Sequence, residues 1–339
     1  MWFVGWPSVV AMMTRTLGTA GPSVSALGVG CWAIGGPWQM GGIEAGWGAV
    51  DDDESVRALR AALEAGVTFF DTAANYGAGH SERVLGRAIA ARRDDVVLAT
   101  KFGYRVDEAN RTVGGPDTTP ASIAAQCRES LRRLGTDRID VYWFHVGDHP
   151  IEAVDDVLGA LDQLVEEGLI RSYGWSTDDV PRAEAFLAGA HCVAVQHQLN
   201  VFQDNPAMLE LCEHWGVASV NRGPLAMGLL TGSYGPDRQF AAGDLRRQNL
   251  EWMGYFTDGR PSPAWLARLD AVRDVLTAGG RTLAQGALGW LWARSPMTIP
   301  IPGVRTVAQA QSNAAALQFG PLTAAQLAEI ETLVAAQPL

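Results

Sequence analysis

The stretch TFFDTAANYG at residues 68–77 decides the fold, because an apolar run of β type ends there in an aspartate and a small-residue loop. Asp71 closes the run, and Tyr76 follows five residues later. Two later apolar runs also end on ionisable side chains, VVLATK on Lys101 and IDVYWFH on His145. Buried strands of α/β folds are almost entirely apolar, and α/β barrels present catalytic side chains at the carboxyl ends of their strands. The three endings therefore predict one functional rim.

Strand and helix patterns alternate along most of the chain. The run at 27–34 predicts a first strand, and the acidic residues at 51–54 predict the first turn of a helix, where negative charge is favourable. The later predicted strands and their helices are 69–71 with 81–91, 96–101 with 120–134, 141–145 with 153–167, 172–176 with 181–187, 193–199 with 208–214, a seventh strand at 217–221, and 298–301 with 307–317. Eight such units predict an α/β fold of the closed (β/α)8 TIM-barrel type.

Two segments fall outside this repeat. Short β-type runs on either side of GTAGP, residues 18–22, predict an N-terminal β-hairpin. Residues 232–263 interrupt the pattern after the seventh strand and predict a long loop over the functional rim, since long loops in compact domains usually serve function. Residues 13–339 are expected to form a single domain, with residues 1–12 a disordered extension or a misassigned start.

The composition excludes several classes of protein. A net charge of −11 argues against a nucleic-acid partner, because neutralising phosphates requires clustered Lys and Arg. The apolar residues 1–12 are too few to span a bilayer, so no membrane role is expected. The four cysteines lie far apart without C-x-x-C spacing, so they indicate no metal site or disulfide framework, and a reducing, cytoplasmic setting is expected.

The segment GVGCWA at residues 28–33 offers an alternative, because it matches the G-x-G-x-x-G/A pattern of dinucleotide-binding open sheets. That pattern must open a helix, whereas this one continues into GGPW at 35–38, where glycine and proline oppose a helix. The open-sheet interpretation is therefore disfavoured. The glycines are better explained by a tight strand end or a close approach to a ligand.

Asp71, Tyr76, Lys101 and His145 each admit an ordinary structural role, but together on one rim they indicate acid–base chemistry. A tyrosine is a poor acid at its usual pKa of about 10. A neighbouring ammonium stabilises the phenolate and lowers that pKa, while a carboxylate keeps the lysine charged. A histidine N–H can place a carbonyl oxygen. The set suits proton transfer to an oxygen that gains negative charge, as in carbonyl reduction.

The chain resembles the aldo-keto reductases over roughly residues 13–335. The matching stretches, in the order of the family, are FDTAANYG at 70–77, SE at 81–82, ATKFG at 99–103, FH at 144–145, GWST at 174–177, Gln196, PLAMGLLTG at 224–232 and IPG at 301–303. The segments 30–36 and 50–55 are most similar to the bacterial branch that includes the inositol-operon-type reductases.

This resemblance implies an NADPH-dependent oxidoreductase that reduces an aldehyde or ketone, such as a sugar or another small metabolite. Tyr76 would be the general acid, Lys101 and Asp71 would tune its pKa, and His145 would orient the carbonyl. No metal is implied. The implied cofactor-binding residues are Trp32, Ser176, Thr177, Gln196, Arg222, Pro224, Leu225, Ala226, Gly228, Gly303, Arg305, Gln309 and Asn313.

Within that set, Ser176 and Gln196 match positions that hold the nicotinamide carboxamide, and the loop after the seventh strand matches the pyrophosphate site. The last strand, loop and helix match the adenosine site. Arg305, beside a helix N-terminus, would bind the ribose phosphate, which favours NADPH over NADH.

Two residues depart from the family pattern. Thr177 stands where the family usually has Asn, so one carboxamide contact is weaker or replaced. Arg222 stands where many members stack an aromatic ring on the nicotinamide. A guanidinium plane also stacks, but its charge disfavours the oxidised, positive ring and biases the site toward reduction.

Two other functions remain open on sequence grounds. One is a non-catalytic, redox-sensing cofactor-binding subunit resembling the potassium-channel β-subunits. The other is a Schiff-base aldolase with Lys101 as nucleophile, which requires a neutral lysine that Asp71 would oppose. Neither the substrate nor the oligomeric state is indicated, although four tryptophans, Trp32, Trp38, Trp47 and Trp143, are candidates to line an apolar mouth.

Overall fold

The computed structural model describes residues 12–19 and 21–337, which contain an eight-stranded parallel sheet. In chain order its strands are Gly28–Gly30, Phe69–Asp71, Val97–Phe102, Ile139–Phe144, Ile170–Ser176, Cys192–Gln198, Ala218–Arg222 and Thr298–Pro300. Each strand pairs with its neighbour in the sequence. The first and last strands also meet, because the Gly30 N–H donates to the Pro302 carbonyl at 3.0 Å and a parallel bridge joins Gly30 to Gly303. The sheet closes, and the predicted (β/α)8 barrel is confirmed.

Helices surround this barrel. They are α1 (Asp52–Glu64), α2 (His80–Ile89), α3 (Pro120–Leu134), α4 (Val154–Glu166), α5 (Val180–Phe186), α6 (Pro206–Trp215), α7 (Pro263–Thr277), α8 (Leu283–Arg294), α9 (Val307–Ala315) and α10 (Ala324–Ala335). Asp51 caps α1 by accepting the N–H groups of Asp53 and Glu54, as expected for an acidic first turn. The sequence patterns do not predict α7, α8 and α10. Almost every residue of α8 is buried, so it lacks the single apolar stripe that marks a surface helix.

The predicted N-terminal hairpin is present, with antiparallel strands Thr14–Thr16 and Ser23–Ser25. Its Leu17 and Val24 belong to the same buried cluster as residues inside the barrel. The Ser25 N–H also bonds to the Thr68 hydroxyl at 2.9 Å, immediately before the second barrel strand. The hairpin therefore plugs the barrel at the amino ends of its strands, opposite the functional rim.

A second small sheet, here the cap sheet, lies on the loops at the carboxyl rim and is not predicted by the sequence patterns. A hairpin after the third barrel strand, Tyr104–Asp107 with Thr112–Pro116, pairs with Gln39–Met40, which in turn pairs with Ile43–Glu44. These strands are too short to show an alternation of apolar and polar residues. Their pairing also depends on a loop that is distant in sequence.

The long loop after the seventh strand is present over residues 232–262, and we call it the seventh-strand loop. It is built around buried Arg246, whose Nε donates to Asp244 at 2.9 Å and whose Nη1 donates to the Tyr234 hydroxyl at 2.7 Å. The guanidinium carbon also lies 3.8 Å from the centroid of the Phe240 ring. The loop is therefore an ordered element rather than a loose connection.

Four expectations concern features away from the functional rim. The extension expected at residues 1–12 lies outside the described residues, apart from Met12. All four cysteines carry free thiols. Among the helices of residues 12–19 and 21–337, none has both the length and the apolarity that crossing a bilayer requires. The same residues contain no group of three His, Cys, Asp or Glu side chains placed to hold a metal ion.

Candidate active site

The barrel brings the four candidate catalytic residues together. Asp71 ends the second strand, Lys101 lies near the end of the third, and His145 directly follows the fourth. Lys101 forms a buried ion pair with Asp71, and its Nζ donates to the Thr72 carbonyl at 2.8 Å. The same Nζ lies 4.7 Å from the centroid of the Tyr76 ring, and the rings of Tyr76 and His145 meet edge to face at 6.1 Å.

The loop that carries Tyr76 is held at both ends. The Ser81 hydroxyl donates to the Cys31 carbonyl at 2.7 Å and bonds to the Thr72 hydroxyl at 2.8 Å. Gly77 has φ +65°, and a Cβ added there would lie 1.9 Å from the Gly35 carbonyl oxygen. Only glycine fits this close approach. The loop geometry, and with it the position of the phenol, is therefore determined by tertiary contacts.

Buried Glu82 secures the next turn, a role that sequence reasoning missed. Its carboxylate accepts from the Thr100 hydroxyl at 2.6 Å and from Arg133 Nε at 2.5 Å. Thr100 immediately precedes Lys101 on the third strand. Glu82 therefore ties the helix after the Tyr76 loop to the strand that carries the lysine. The SE motif at 81–82 was the available signal.

Burial and charge set the ionisation of these groups. Burial raises the pKa of Tyr76 above its usual value, and the charge of Lys101 only partly offsets this effect. The predicted influence of Lys101 is therefore present, but it does not lower the pKa of Tyr76 below its usual value. Burial lowers the pKa of Lys101, yet Asp71 and Tyr76 outweigh it and raise the pKa above the usual value. The lysine is an ammonium.

Burial also lowers the pKa of His145 well below its usual value, and the positive charges of Lys101 and Arg222 lower it further. The imidazole is therefore neutral at physiological pH. A neutral imidazole carries one N–H, which it can donate to a carbonyl oxygen without competing for the proton held by Tyr76.

The residues expected at the nicotinamide carboxamide, Ser176, Gln196 and Thr177, make different contacts within the protein. Ser176 and Gln196 are register partners on the fifth and sixth strands. The Gln196 amide donates to Asp71 Oδ2 at 2.9 Å. The Thr177 hydroxyl donates to the Gly147 carbonyl at 2.9 Å and accepts the Asp179 N–H at 3.2 Å, so it is engaged by its own loop.

Arg222 ends the seventh strand and is fixed at the rim. Its Nη1 donates to Gln198 Oε1 at 2.8 Å, and its other terminal nitrogen pairs with Asp178. Asp178 also accepts the Gln198 N–H at 2.7 Å. Sequence reasoning missed Asp178 and Gln198, because nothing in their local pattern signals a partner on another strand. The guanidinium is thus partly neutralised and held in place.

The segment after Arg222 forms a strained turn. Pro224 and Leu225 lead into Ala226 and Met227, two non-glycine residues with φ of 47° and 53°, followed by Gly228 with φ 93°. Such conformations cost free energy and cluster at ligand-binding turns. The turn lies where the pyrophosphate site was expected.

The expected adenosine site follows the eighth strand. Gly303 completes the barrel closure, and Gln309 and Asn313 lie on α9. The Arg305 guanidinium donates to the Trp47 carbonyl at 3.1 Å and also to that of Ala49. The backbone N–H of Arg305 donates to Gln309 Oε1 at 2.8 Å. Arg305 therefore both projects a positive charge here and anchors the loop after the first strand.

Two N–H groups at the start of α9 already have acceptors within the protein. The Val307 N–H donates to Glu54 Oε1 of α1 at 2.9 Å, and the Gln309 N–H donates to the Thr306 hydroxyl at 3.3 Å. The first and eighth strands are neighbours, so their helices pack together and bring Glu54 to this position.

Trp32, which was expected to bind the cofactor, lies against Tyr76. Its ring stacks on Tyr76 with centroids 5.8 Å apart and on Trp252 at 6.3 Å, and the edge of Trp47 meets it at 5.3 Å. The expectation that Trp143 lines the mouth is wrong, because Trp143 is completely buried in the barrel core. Trp252 of the seventh-strand loop takes that place.

A tyrosine, a lysine–aspartate pair and a neutral histidine at the rim of a closed barrel are suited to proton transfer to a carbonyl oxygen. Residues 26–335 match the model of the aldo/keto reductase family, and the chain belongs to this family. The predicted resemblance is thereby confirmed, and the open-sheet alternative is wrong.

Named relatives agree with this assignment. The chain is 30% identical over 322 residues to the aldo-keto reductase yakc (NADP(+)) of Schizosaccharomyces pombe, covering 91% of this chain and 88% of that protein. A glycerol dehydrogenase from Gluconobacter oxydans is 30% identical, with 96% and 97% of the two chains covered and a TM-score of 0.78. An aldo/keto reductase from Klebsiella pneumoniae in complex with NADP and acetate is 27% identical, with 94% of each chain covered and a TM-score of 0.66.

Proposed function

We propose that this chain is an NADPH-dependent reductase that converts an aldehyde or ketone to the alcohol, with Tyr76 as the general acid. The observation that carries the proposal is the ammonium of Lys101, buried between Asp71 and the ring of Tyr76. A carbonyl oxygen becomes basic as reduction proceeds, and the Tyr76 hydroxyl supplies the proton it needs. Lys101 stabilises the phenolate that this transfer leaves behind.

His145 has a separate task in this scheme. Because it is neutral, it donates one hydrogen bond to the carbonyl oxygen and holds that oxygen near the phenol. Asp71 keeps Lys101 protonated through the catalytic cycle. Proton donation and carbonyl placement are thus divided between two side chains whose rings are in contact.

The rim also offers groups suited to NADPH. Ser176 and Gln196 present a neutral hydroxyl and amide, which match a carboxamide, and Arg305 presents a cation that matches a phosphate. The strained turn at 225–228 would follow the pyrophosphate. When bound, the nicotinamide supplies the hydride that adds to the carbonyl carbon. Relatives named for NADP(+) or solved with NADP support this choice.

The alternatives carry less support. A non-catalytic redox sensor resembling the channel β-subunits does not require the complete set of Asp71, Tyr76, Lys101 and His145. A Schiff-base aldolase needs a neutral lysine, whereas Asp71 holds Lys101 as an ammonium. A cytoplasmic location, inferred from the cysteines, and a sugar or other small-metabolite substrate remain predictions.

The decisive experiment is steady-state oxidation of NADPH and of NADH with a panel of aldehydes and ketones, using wild type and Tyr76→Phe. We expect turnover with NADPH, and the variant should lose roughly 10²-fold or more in kcat. Its cofactor affinity should be little changed, because the phenyl ring remains. Wild-type kcat in Tyr76→Phe would rule out the proton donor. Cofactor binding without turnover of any carbonyl would favour the redox-sensor alternative.

A further inference from the structure

We propose that Gln196 is a positioning residue for the proton donor, acting through Asp71, in addition to its expected contact with the carboxamide. This inference rests on the proposed function. Gln196 lies on the sixth strand, 125 residues from Asp71 in sequence, and its Nε2 donates to Asp71 Oδ2 at 2.9 Å. Lys101 occupies the other carboxylate oxygen. Both oxygens of Asp71 are thus engaged, one from each side.

The hydrogen bond from Gln196 to Asp71 has no substitute, because both residues are buried. Asp71 and Gln196 are each only 1% exposed, so water cannot replace a lost partner. A buried carboxylate with one oxygen unpaired turns or takes up a proton. Either change weakens the ion pair with Lys101, whose charge stabilises the Tyr76 phenolate. Gln196 therefore affects the phenol through two intervening groups without touching it.

The groups that act on Asp71 can be named. Burial raises its pKa, and Lys101 and Gln196 oppose that rise. The Trp143 indole also lowers this pKa, although its N–H makes no full hydrogen bond within the described chain. Tyr76 and Cys31 are the remaining titratable neighbours, and burial raises the pKa of both, so neither is ionised near neutral pH.

The contact also fixes the orientation of the Gln196 amide. An ionised carboxylate only accepts hydrogen bonds, so the NH2 group must face Asp71. The Oε1 atom accepts no hydrogen bond from residues 12–19 or 21–337, so it is available to an N–H donor such as a carboxamide. One side chain thus connects the carboxamide position to the Asp71–Lys101 pair. Loss of Gln196 would then affect both cofactor binding and the ionisation of Asp71.

The test compares Gln196→Met, which keeps the length but removes the donor, with Ser176→Ala, which removes a carboxamide contact that does not reach Asp71. We expect kcat of Gln196→Met at saturating NADPH to fall roughly tenfold to a hundredfold, the range for a hydrogen bond to a charged group. The acidic limb of its pH–kcat profile should move to higher pH, because Asp71 must be ionised and its pKa rises. Ser176→Ala should weaken NADPH binding without moving that limb.

Gln196→Glu provides a conservative rescue. Its protonated carboxyl can donate a hydrogen bond to Asp71, whereas its ionised form repels Asp71. This variant should therefore be more active at pH values below the wild-type optimum than at pH values above it. An acidic limb in Gln196→Met that coincides with wild type, with only the dissociation constant for NADPH changed, would overturn the inference. That result would leave Gln196 as a cofactor contact alone.

A measurement on the cofactor-free protein separates this inference from the proposed function. The hydrogen bond from Gln196 stabilises the ionised form of Asp71, which is populated above the pKa of that carboxyl. The loss of unfolding free energy in Gln196→Met should therefore be largest at neutral pH and shrink as Asp71 is protonated in acid. A pH-independent loss would contradict the inference. If the loss of unfolding free energy in Gln196→Met depends on pH as expected but the wild type turns over no carbonyl compound, the proposed function is rejected and the inference about Gln196 and Asp71 stands.

Discussion

Glu54 Oε1 accepts a hydrogen bond from the amide of Val307 at 2.9 Å, so a carboxylate occupies the start of the helix nearest the expected adenosine phosphate. The same carboxylate pairs with Arg57 at 2.8 Å. If Arg305 binds the 2′-phosphate as proposed, we therefore expect the cofactor preference to depend on a balance between Glu54 and Arg305 rather than on Arg305 alone.

Glu54→Gln should increase the preference for NADPH. The amide oxygen can still accept the Val307 N–H, while the negative charge near the 2′-phosphate is removed. Because the site is partly exposed and Arg57 already offsets part of the charge, we expect about a two- to fivefold gain in NADPH affinity that fades with added salt. Titrations of both cofactors at low and high ionic strength measure it. An equal gain for NADH would show that Glu54 does not act on the phosphate.

Arg305→Ala should reduce NADPH affinity by roughly tenfold to a hundredfold, because it deletes a charge-assisted contact that NADH cannot make. NADH affinity should fall much less. Some loss is expected for both cofactors, since the guanidinium also holds the Trp47 and Ala49 carbonyls. Arg305→Gln, which keeps a neutral donor for those carbonyls, is the matched control. Equal weakening for NADPH and NADH in both variants would assign Arg305 to loop anchoring only.

Lys101→Met should depress kcat far more than cofactor binding, because the phenolate of Tyr76 loses its stabilising charge. The tyrosine pKa should rise, so the limb of the alcohol-oxidation profile that reports phenolate formation should move to higher pH. Removing one partner of a buried ion pair should also cost about 3–5 kcal/mol of stability. The double variant Lys101→Met, Asp71→Asn should recover part of that stability without recovering activity. An unchanged pH profile in Lys101→Met would show that the lysine does not affect the pKa of Tyr76.

Trp252→Ala should change substrate preference without changing the chemistry. Its ring is 49% exposed and extends the stack of Trp32 on Tyr76, so it offers a planar apolar surface at the mouth. We expect KM for bulky aromatic aldehydes to rise several-fold, with a smaller effect on short aliphatic aldehydes. Trp215→Ala on α6 is the control, since that ring is comparably exposed at 42% but does not join this stack. Identical changes in KM for the two variants would show that Trp252 does not contribute to the substrate site.

Local patterns predicted the barrel and the convergence of the candidate residues on its rim. Asp71, Lys101 and His145 interrupt apolar runs, and the fold brings the ends of adjacent strands together. The partners of these residues were not predictable in the same way. Asp178, Gln198 and Glu54 meet their partners only when the fold brings distant segments of the chain together. The contact of Gln196 with Asp71 spans the barrel for the same reason.

Errors in the sequence predictions have related causes. Trp143 lies on a barrel strand with its side chain in the core, and the sequence alone did not show on which side of the sheet that side chain lies. Helix α8 was missed because burial on all sides removes amphipathic periodicity. The cap sheet was missed because its strands are held by pairing with a distant loop, not by their own residues.

The seventh-strand loop is joined to the loop after the first strand through main-chain atoms. The Leu245 N–H donates to the Gly46 carbonyl at 2.9 Å, and the Gly48 N–H donates to the Gly243 carbonyl at 3.1 Å. Gly48 and Gly243 have positive φ, and a Cβ on Gly46 would lie 2.4 Å from the Gly36 carbonyl oxygen, so these three positions require glycine. Main-chain pairing places little demand on the other side chains of the two loops, which can differ while the pairing persists. To transfer substrate specificity from a relative, both loops should accordingly be exchanged together, because either loop alone would lose the main-chain partners that the other provides.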